Sequence, residues 1–317
     1  MDKLLPVAIM AHNEGKVIQK SVESVLDQNT PIGYTVKVVI VANGCSDRTE
    51  GVVRDLEGCY PNRVVLVSMK EKGKTKAINR AIEVISGMEN AGVEIPYVIF
   101  LDADCEFYGR GALVKFVKEF RINPKLCAVA ADCLPDVFFN SRKDIVAQIY
   151  RAIYRLSESL RINAISGMCY GIRFDILKQI DFPNFQLSDS MYVTSRLDGW
   201  FFRNKDIKII FKAPFGLRKE ILRRTRQEVS NQRYHEYYSY LKGKGIKSTL
   251  FETPLGDDYK WRGAMDGNIF KEWLKLRDNK ARTLIILFYL ISIWSQISAS
   301  VKVRRMEITD IYWEVER

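Results

Sequence analysis

Val98-Ile99-Phe100-Leu101-Asp102-Ala103-Asp104 is an apolar run that ends in two carboxylates two positions apart. A short run of this kind reads as a strand buried on both faces. The strand expected over Tyr97–Leu101 therefore delivers Asp102 and Asp104 to whatever lies at its carboxyl end. Upstream, Leu5–Met10, Val36–Ala42 and Val64–Val67 carry the same signal, and Val36–Ala42 is β-branched almost throughout. Between them, Val17, Val22, Val25 and Leu26 recur at helical spacing, Ser46 or Asp47 can cap a further helix, and Thr75–Ile85 reads as another. Strand and helix thus alternate up to Asp104, which predicts an α/β, doubly wound, Rossmann-like, mostly parallel sheet. Ligands bind such sheets at the carboxyl ends of the strands. The polar clusters His12-Asn13-Glu14, Asn43–Asp47 and Asp102–Asp104 all fall there.

The rest of the chain narrows the choice. It has 317 residues, 49 Lys+Arg against 38 Asp+Glu (+11), 47% apolar and 27% charged residues, which excludes disordered and collagen-like classes. Six cysteines without a C-x-x-C pair argue against a zinc ribbon or a small disulfide scaffold and suit a reducing compartment. Two histidines, His12 and His235, exclude a histidine-rich metal site and leave a Ser-His-Asp triad only two candidate bases. Met1–Pro6 lacks the apolar core of a signal peptide, so a cytoplasmic protein is expected.

Two carboxylates at the end of a buried strand can hold a hard divalent cation through oxygen, and such a cation can neutralise a departing diphosphate. A solvated turn is the plain alternative. Ser68–Thr75 nearly matches the P-loop G-x-x-x-x-G-K-[ST], but Ser68 replaces the first glycine and the interior reads Met-Lys-Glu-Lys. Lys72 and Lys74 are therefore read as simple cationic partners for a nucleotide or its phosphates. Asn43 offers an amide suited to a base edge, and its turn is equally suited to capping a helix. No dinucleotide fingerprint is present, because Gly243-Lys244-Gly245 leads to Ser248.

Taken in order, Ala11-His12-Asn13-Glu14, Asn43-Gly44-Cys45-Ser46-Asp47-Arg48-Thr49, Lys72-Gly73-Lys74-Thr75-Lys76-Ala77-Ile78-Asn79 and Asp102-Ala103-Asp104 resemble the inverting family 2 glycosyltransferases of the GT-A fold. The resemblance runs over about residues 4–215. It implies Mg²⁺ or Mn²⁺ and a nucleotide-diphosphate-sugar donor, a UDP-sugar first and a GDP-sugar second. Ala11, His12, Glu14, Asn43, Asp47, Lys74 and Asn79 would then border the donor. Asp102 would face the ribose, and Asp104, with Asp102, the metal. Gly167–Arg173 resembles the segment beneath the acceptor, and Ser188–Leu197 the segment that bears the general base. The family's acid pair is here Asp189-Ser190. Asp189 is the only carboxylate between Asp181 and Asp198 and is taken as the base, the alternative being a cap on the helix Ser190–Leu197.

Residues 1–217 are expected to form the catalytic domain, with a nucleotide-sugar half to about 105 and an acceptor half over 106–217. A basic, mainly helical extension is expected over 218–317. Residues 218–247 hold nine Lys/Arg and three Glu, with Arg223, Arg224 and Arg226 able to grip a diphosphate or to form a solvated face. Residues 283–301 are uncharged, flanked by Lys280 and Arg282 on one side and Lys302, Arg304 and Arg305 on the other. A helix in the membrane interface anchored by Trp294 fits better than a span, with burial or a homodimer contact as the alternative. The expected reaction is transfer of a hexosyl or N-acetylhexosaminyl group to an acceptor hydroxyl of a glycan or lipid-linked glycan, as in polysaccharide biosynthesis. The other readings are a basic nucleic-acid-binding protein and a P-loop-like nucleotide-hydrolysing enzyme. The first lacks a zinc-finger or RNP signature and leaves Asp102 and Asp104 without a role.

Overall fold

The computed structural model describes residues 3–159, 165, 167–185, 187–197, 200–243, 273 and 278–305. Of the expected extension, residues 244–272, 274–277 and 306–317 lie outside the described residues. Packing divides the chain into two compact units, Met1–Cys133 with Ala164–Phe211, and Leu134–Asn163 with Lys212–Arg317.

In the first unit, β1 (Lys3–Ala11), α1 (Ile18–Leu26), β2 (Tyr34–Asn43), α2 (Thr49–Cys59), β3 (Val64–Met69), α3 (Lys74–Asn90) and β4 (Tyr97–Asp102) follow the predicted alternation. The strands β3, β2, β1 and β4 are parallel neighbours in that order. Val7, Ile9, Val38, Ile40, Ile99 and Leu101 are all fully buried, which is why these strands read as continuous apolar runs. Pro6 is tolerated in the central strand because β4 pairs with β1 only from Val7 onward. Register aligns Met10 with Asp102 and Ala11 with Ala42, so the carboxyl ends of β1, β2 and β4 form one edge.

The second half of the sheet is antiparallel. It comprises β5 (Cys105–Phe107), β6 (Leu126–Pro135), β7 (Cys169–Arg173) and β8 (Trp200–Phe211), with α4 (Ala112–Ile122) packed between in sequence. The eight strands run β3-β2-β1-β4-β7-β6-β8-β5. β4 and β5 are four places apart in that order, about 19 Å in a flat sheet at the usual strand spacing. Yet only Ala103 and Asp104 join them, a reach of about 11 Å. The sheet must curl to bring its far edge back, and the D-x-D segment is the link that closes the curl.

The second unit contains α5 (Ile145–Ser159), α8 (Leu217–Gly243) and α9 (Asn279–Arg305); the short α6 (Phe174–Leu177) and α7 (Asp189–Arg196) belong to the first. Ile149, Ala152, Leu156, Ala281, Leu284, Ile285 and Ile291 form the apolar core of this helical unit. Arg223 and Arg224 are neither a solvated face nor open grips. Both pair with Glu220, which is 1% exposed and also accepts from the Tyr150 hydroxyl at 3.0 Å. Arg224 reaches Ser292 at 3.1 Å and lies 3.7 Å above the Phe288 ring.

Burial pushes the Glu220 carboxyl up, but Arg223 and Arg224 outweigh it and leave it below its ordinary value of 4.5. A lowered native value stabilises the fold above the ordinary pKa and loses that stabilisation as pH falls through it. Glu220→Gln is therefore expected to cost about 3 kcal/mol at pH 7. The gap to wild type should close progressively below pH 4.5 in urea melts.

Candidate active site

The strand-end edge is organised first by backbone turns. Asn13 (φ 58°) and Gly44 (φ 59°) both adopt left-handed conformations just past β1 and β2. At Gly44 a Cβ would also meet the Lys72 side chain at 2.5 Å and backbone atoms of Lys70 and Lys72 at 3.2 Å, so the β2 and β3 turns close only over glycine. The Asn13 carboxamide oxygen accepts from the Ser46 N–H at 2.8 Å.

Asn43, read from sequence as a candidate for the base edge, has its amide committed to the protein. It is 2% exposed; its Nδ2 donates to the Ala11 carbonyl at 2.9 Å and its Oδ1 accepts from the Gly73 N–H at 3.2 Å. Its own carbonyl lies 2.7 Å from His12 Nδ1. Asp47 is likewise engaged, receiving N–H bonds from Gly15 at 3.0 Å and Thr49 at 2.9 Å and the Thr49 hydroxyl at 2.5 Å. Burial pushes the Asp47 carboxyl up, but these bonds outweigh it and hold it below its ordinary value. The Glu14 N–H bonds the Thr49 hydroxyl at 2.8 Å, while the Glu14 side chain is only partly buried. Ala11 is fully buried and presents only its carbonyl, to Asn43 and Cys45. Asn79, a turn into α3, donates to the Phe182 carbonyl at 2.8 Å.

The acidic residues come together at Lys74, the first residue of α3. Its Nζ lies 2.7 Å from Asp102 Oδ1, 3.0 Å from Asp189 Oδ2 and 3.4 Å from the Gly167 carbonyl. Each partner arrives on a different element. Asp102 ends β4, Asp189 begins α7, and Gly167 sits beside β4 because the Asp102 N–H bonds Met168 at 2.8 Å. Thr75 and Asn79 then tether the chain that leads into α7, through the Phe185 and Phe182 carbonyls. Asp189 does not act as a side-chain cap of α7; its carboxylate is turned to Lys74. No P-loop cradle forms, because the Gly73 N–H is spent on Asn43 and Lys74 turns toward the carboxylates.

Electrostatics follow from that crowding. Burial pushes Asp102 up to about 6 despite the opposing pull of Lys74, with Asp104 and Asp189 adding to the rise. Burial also works against the Lys74 charge, but Asp102 and Asp189 outweigh it and hold the ammonium above its ordinary value. Asp104 is the exposed member of the pair. Among the described residues no cluster of three or more His, Cys, Asp or Glu side chains could hold a metal unaided. The donor set still fits Mg²⁺ or Mn²⁺, since Mg²⁺ commonly takes one or two carboxylates and draws its other oxygens from substrate phosphates and water. Asp104 is the carboxylate open for that purpose, and Asp102 is held by Lys74.

The sequence placed Asp102 and Asp104 at the strand-end edge with the turns after β1 and β2, but not Lys74 or Asp189, nor what joins them. The ion pair of Lys74 with both acids, and the tethers from Thr75 and Asn79, depend on contacts some 28 to 115 positions apart, which no local sequence pattern announces.

Residues 7–181 match the family model described as Glycosyl transferase family 2, and the chain belongs to that family. A 99-residue stretch is 32% identical to Glycosyltransferase AglE of Haloferax volcanii, covering 31% of this chain and 30% of that protein. A 104-residue stretch is 22% identical to the Minor teichoic acid biosynthesis protein GgaA of Bacillus subtilis, covering 33% of this chain and 22% of that protein. The matched stretches thus span under a third of either relative. The fold is shared with the mannosyltransferase PcManGT from Pyrobaculum calidifontis, solved with GDP-Man and Mn²⁺. That match has a TM-score of 0.59 at 18% identity, over 96% of this chain and 88% of that one. The chain thus has the GT-A fold within family 2, as its motif order implied.

Asn43→Ala should strip the β1–β2–α3 junction of two buried bonds, leaving the Gly73 N–H without its acceptor and the Ala11 carbonyl with the weak Cys45 thiol in place of an amide donor. The expected cost is about 2–3 kcal/mol in chemical denaturation. Unchanged stability would show that the amide is free for a ligand.

Proposed function

We propose that this family 2 enzyme inverts the anomeric centre of a nucleotide-diphosphate-sugar as it transfers a hexosyl or N-acetylhexosaminyl group to an acceptor hydroxyl. The observation that carries the reading is the convergence of Asp102 and Asp189 on Lys74 at the carboxyl edge of the sheet. That edge is where an α/β sheet receives nucleotides. Asp189 is the general base: an acceptor hydroxyl is a poor nucleophile until a carboxylate takes its proton as the new bond forms. Asp104, with Asp102 behind it, holds Mg²⁺ or Mn²⁺. When bound, the cation offsets charge on the departing diphosphate. Ala11, His12, Glu14 and Asn43 shape the nucleotide pocket. Asn43 and Asp47 act by holding the turns, and Asn79 by holding the segment ahead of Asp189. A UDP-sugar is the first donor to test. A GDP-sugar is the second, with the related fold's GDP-Man complex as its support.

The acceptor is proposed to be a glycan or lipid-linked glycan met at a membrane surface, with the enzyme peripheral on the inner, cytoplasmic face. Supporting this, the exposed face of α9 is apolar as well as its buried one, and part of the buried face is polar or small. Ser292, Ser295 and Ala299 are buried, whereas Ile286, Leu290, Ile293, Trp294, Ile297 and Val301 form an exposed stripe. Residues 279–301 are long and apolar enough to cross a bilayer by length and composition. One face, however, packs along α8, whose sequence is rich in Arg, Lys, Glu and Tyr, so a span would take α8 into hydrocarbon. A helix lying in the interface keeps α8 in water, and Lys280 beside the stripe suits anionic lipid.

Two experiments test these readings. In assays with a panel of UDP- and GDP-sugars and Mn²⁺, Asp189→Asn should lower turnover by about 10²–10⁴-fold. Asp104→Ala should abolish transfer with an unchanged melting temperature. Near-normal turnover of Asp189→Asn would move the role of base to another acid, Asp132 or Asp136 being next to test. In vesicle flotation, wild type should bind phosphatidylserine-containing liposomes at low salt. The triple variant Leu290→Ser, Trp294→Ser, Ile297→Ser should stay in solution, and a wild-type protein that never floats removes the membrane reading.

A further inference from the structure

The Lys74 ammonium has three N–H donors and three protein acceptors: Asp102 Oδ1 at 2.7 Å, Asp189 Oδ2 at 3.0 Å and the Gly167 carbonyl at 3.4 Å. In this arrangement it is saturated by protein and has no donor left for a phosphate. Asp189 is engaged through one oxygen. Its Oδ2 is on Lys74, and its Oδ1 faces Gly167, 3.2 Å from where a Cβ would stand. The Asp189 side chain is 14% exposed, and that of Lys74 24%. A carboxylate whose charge is shared with an ammonium is a weaker proton acceptor for a hydroxyl, and a diphosphate cannot bind this lysine without taking one of its partners' places.

We infer that Lys74 masks the base in the free enzyme, and that the diphosphate of an incoming donor draws the ammonium away from Asp189, so that the acceptor meets an open carboxylate only after the donor is bound. This rests on the reading of Asp189 as base and of the donor as a nucleotide-diphosphate-sugar. A diphosphate carries more charge than one carboxylate and competes well for a compact ammonium. Asp102 keeps its hold on the same nitrogen, so the ammonium need only swing, with Asp102 as pivot. Binding order then follows from one ion pair changing hands. Lys74 is on this account a positioning residue for Asp189.

Zero-length cross-linking of the wild-type enzyme reads the ion pair directly. A carbodiimide activates a carboxylate, the deprotonated lysine nitrogen attacks it, an amide forms and the urea departs. Peptide mass spectrometry of the free enzyme should find Lys74 joined to Asp189. Saturating GDP or UDP with Mg²⁺, each first shown to bind by calorimetry, should suppress that link at least about 5-fold. The link between Lys178 and Glu89, a 2.7 Å pair on the outer face of the same unit, should be unaffected. A Lys74–Asp189 link that persists undiminished with nucleotide bound overturns the inference.

Affinity supplies an independent arm. Asp189→Asn removes the competitor and should tighten binding of the same nucleotide by roughly 5–50-fold, as expected when contacting residues are coupled. In a Lys74→Met background that tightening should vanish. If it persists there, simple charge repulsion explains it and the inference fails, as it does if Asp189→Asn binds no tighter than wild type. A wild-type protein that binds neither nucleotide sinks the donor reading. Full turnover by Asp189→Asn sinks the base reading while leaving the ion-pair exchange itself measurable.

Discussion

One ammonium ties three parts of the candidate active-site edge together. Lys74 stands at the start of α3 and faces the end of β4, the start of α7 and the carbonyl ahead of β7. The four groups that meet, Lys74, Asp102, Gly167 and Asp189, are 22 to 115 positions apart in sequence. Two carboxylates placed at that edge without a cation would repel each other across a partly buried space, where the repulsion is poorly screened. With Lys74 between them the cluster carries a single net negative charge before Asp104 is counted. A half-buried cluster of this kind is a weak source of stability and a strong source of position. It fixes where α7 begins, and hence where Asp189 points.

The curl of the sheet makes this convergence geometrically available. A flat sheet would carry the antiparallel half away from the parallel half. Because two residues must bridge from β4 to β5, the sheet folds back on itself, and Asp102 and Asp104 lie on the tight link at the turning point. The alternation of burial along a strand explains the division of labour within the link. Ala103 is buried, while Asp102 and Asp104 lie on its more accessible side. Gly171 completes the packing on the opposite face of β7, where a Cβ would meet the Phe116 ring at 3.0 Å.

The parallel half was legible because its strands are buried on both faces, so Val36–Ala42 and Val98–Leu101 announce themselves without long-range information. The antiparallel half was less so. β5 is three residues long, and β8 carries Arg203, Asn204, Lys205 and Asp206 in its middle. Asp102, Asp104 and Asp189 stand out in the sequence as carboxylates at the end of a buried strand and ahead of a helix. Their mutual arrangement does not, since no local pattern encodes a lysine that selects two acids from distant segments. The grouping of residues 134–163 with the C-terminal helices was equally hidden, because the helix stripe of Ile149, Ile153 and Leu156 says that a partner exists without saying which. For Arg223 and Arg224, charge counting offered a diphosphate grip or a solvated face, where burial instead sets them to neutralise Glu220.

The fate of the polar residues at the strand ends follows a common physical logic. A nucleotide site needs rigid turns, and turns cut across strand ends leave backbone groups without partners. Asn43 and Asp47 supply those partners: one amide holds β1 to α3, and one carboxylate holds the loop after β1 to the start of α2. A side chain spent in this way cannot also be the main reader of a base. On the proposed reading, recognition of the donor falls on backbone groups that the turns expose and on exposed side chains beside them, Lys72 among the charged ones. A motif residue can therefore be essential without touching substrate, because it sets the geometry in which the neighbouring backbone does so.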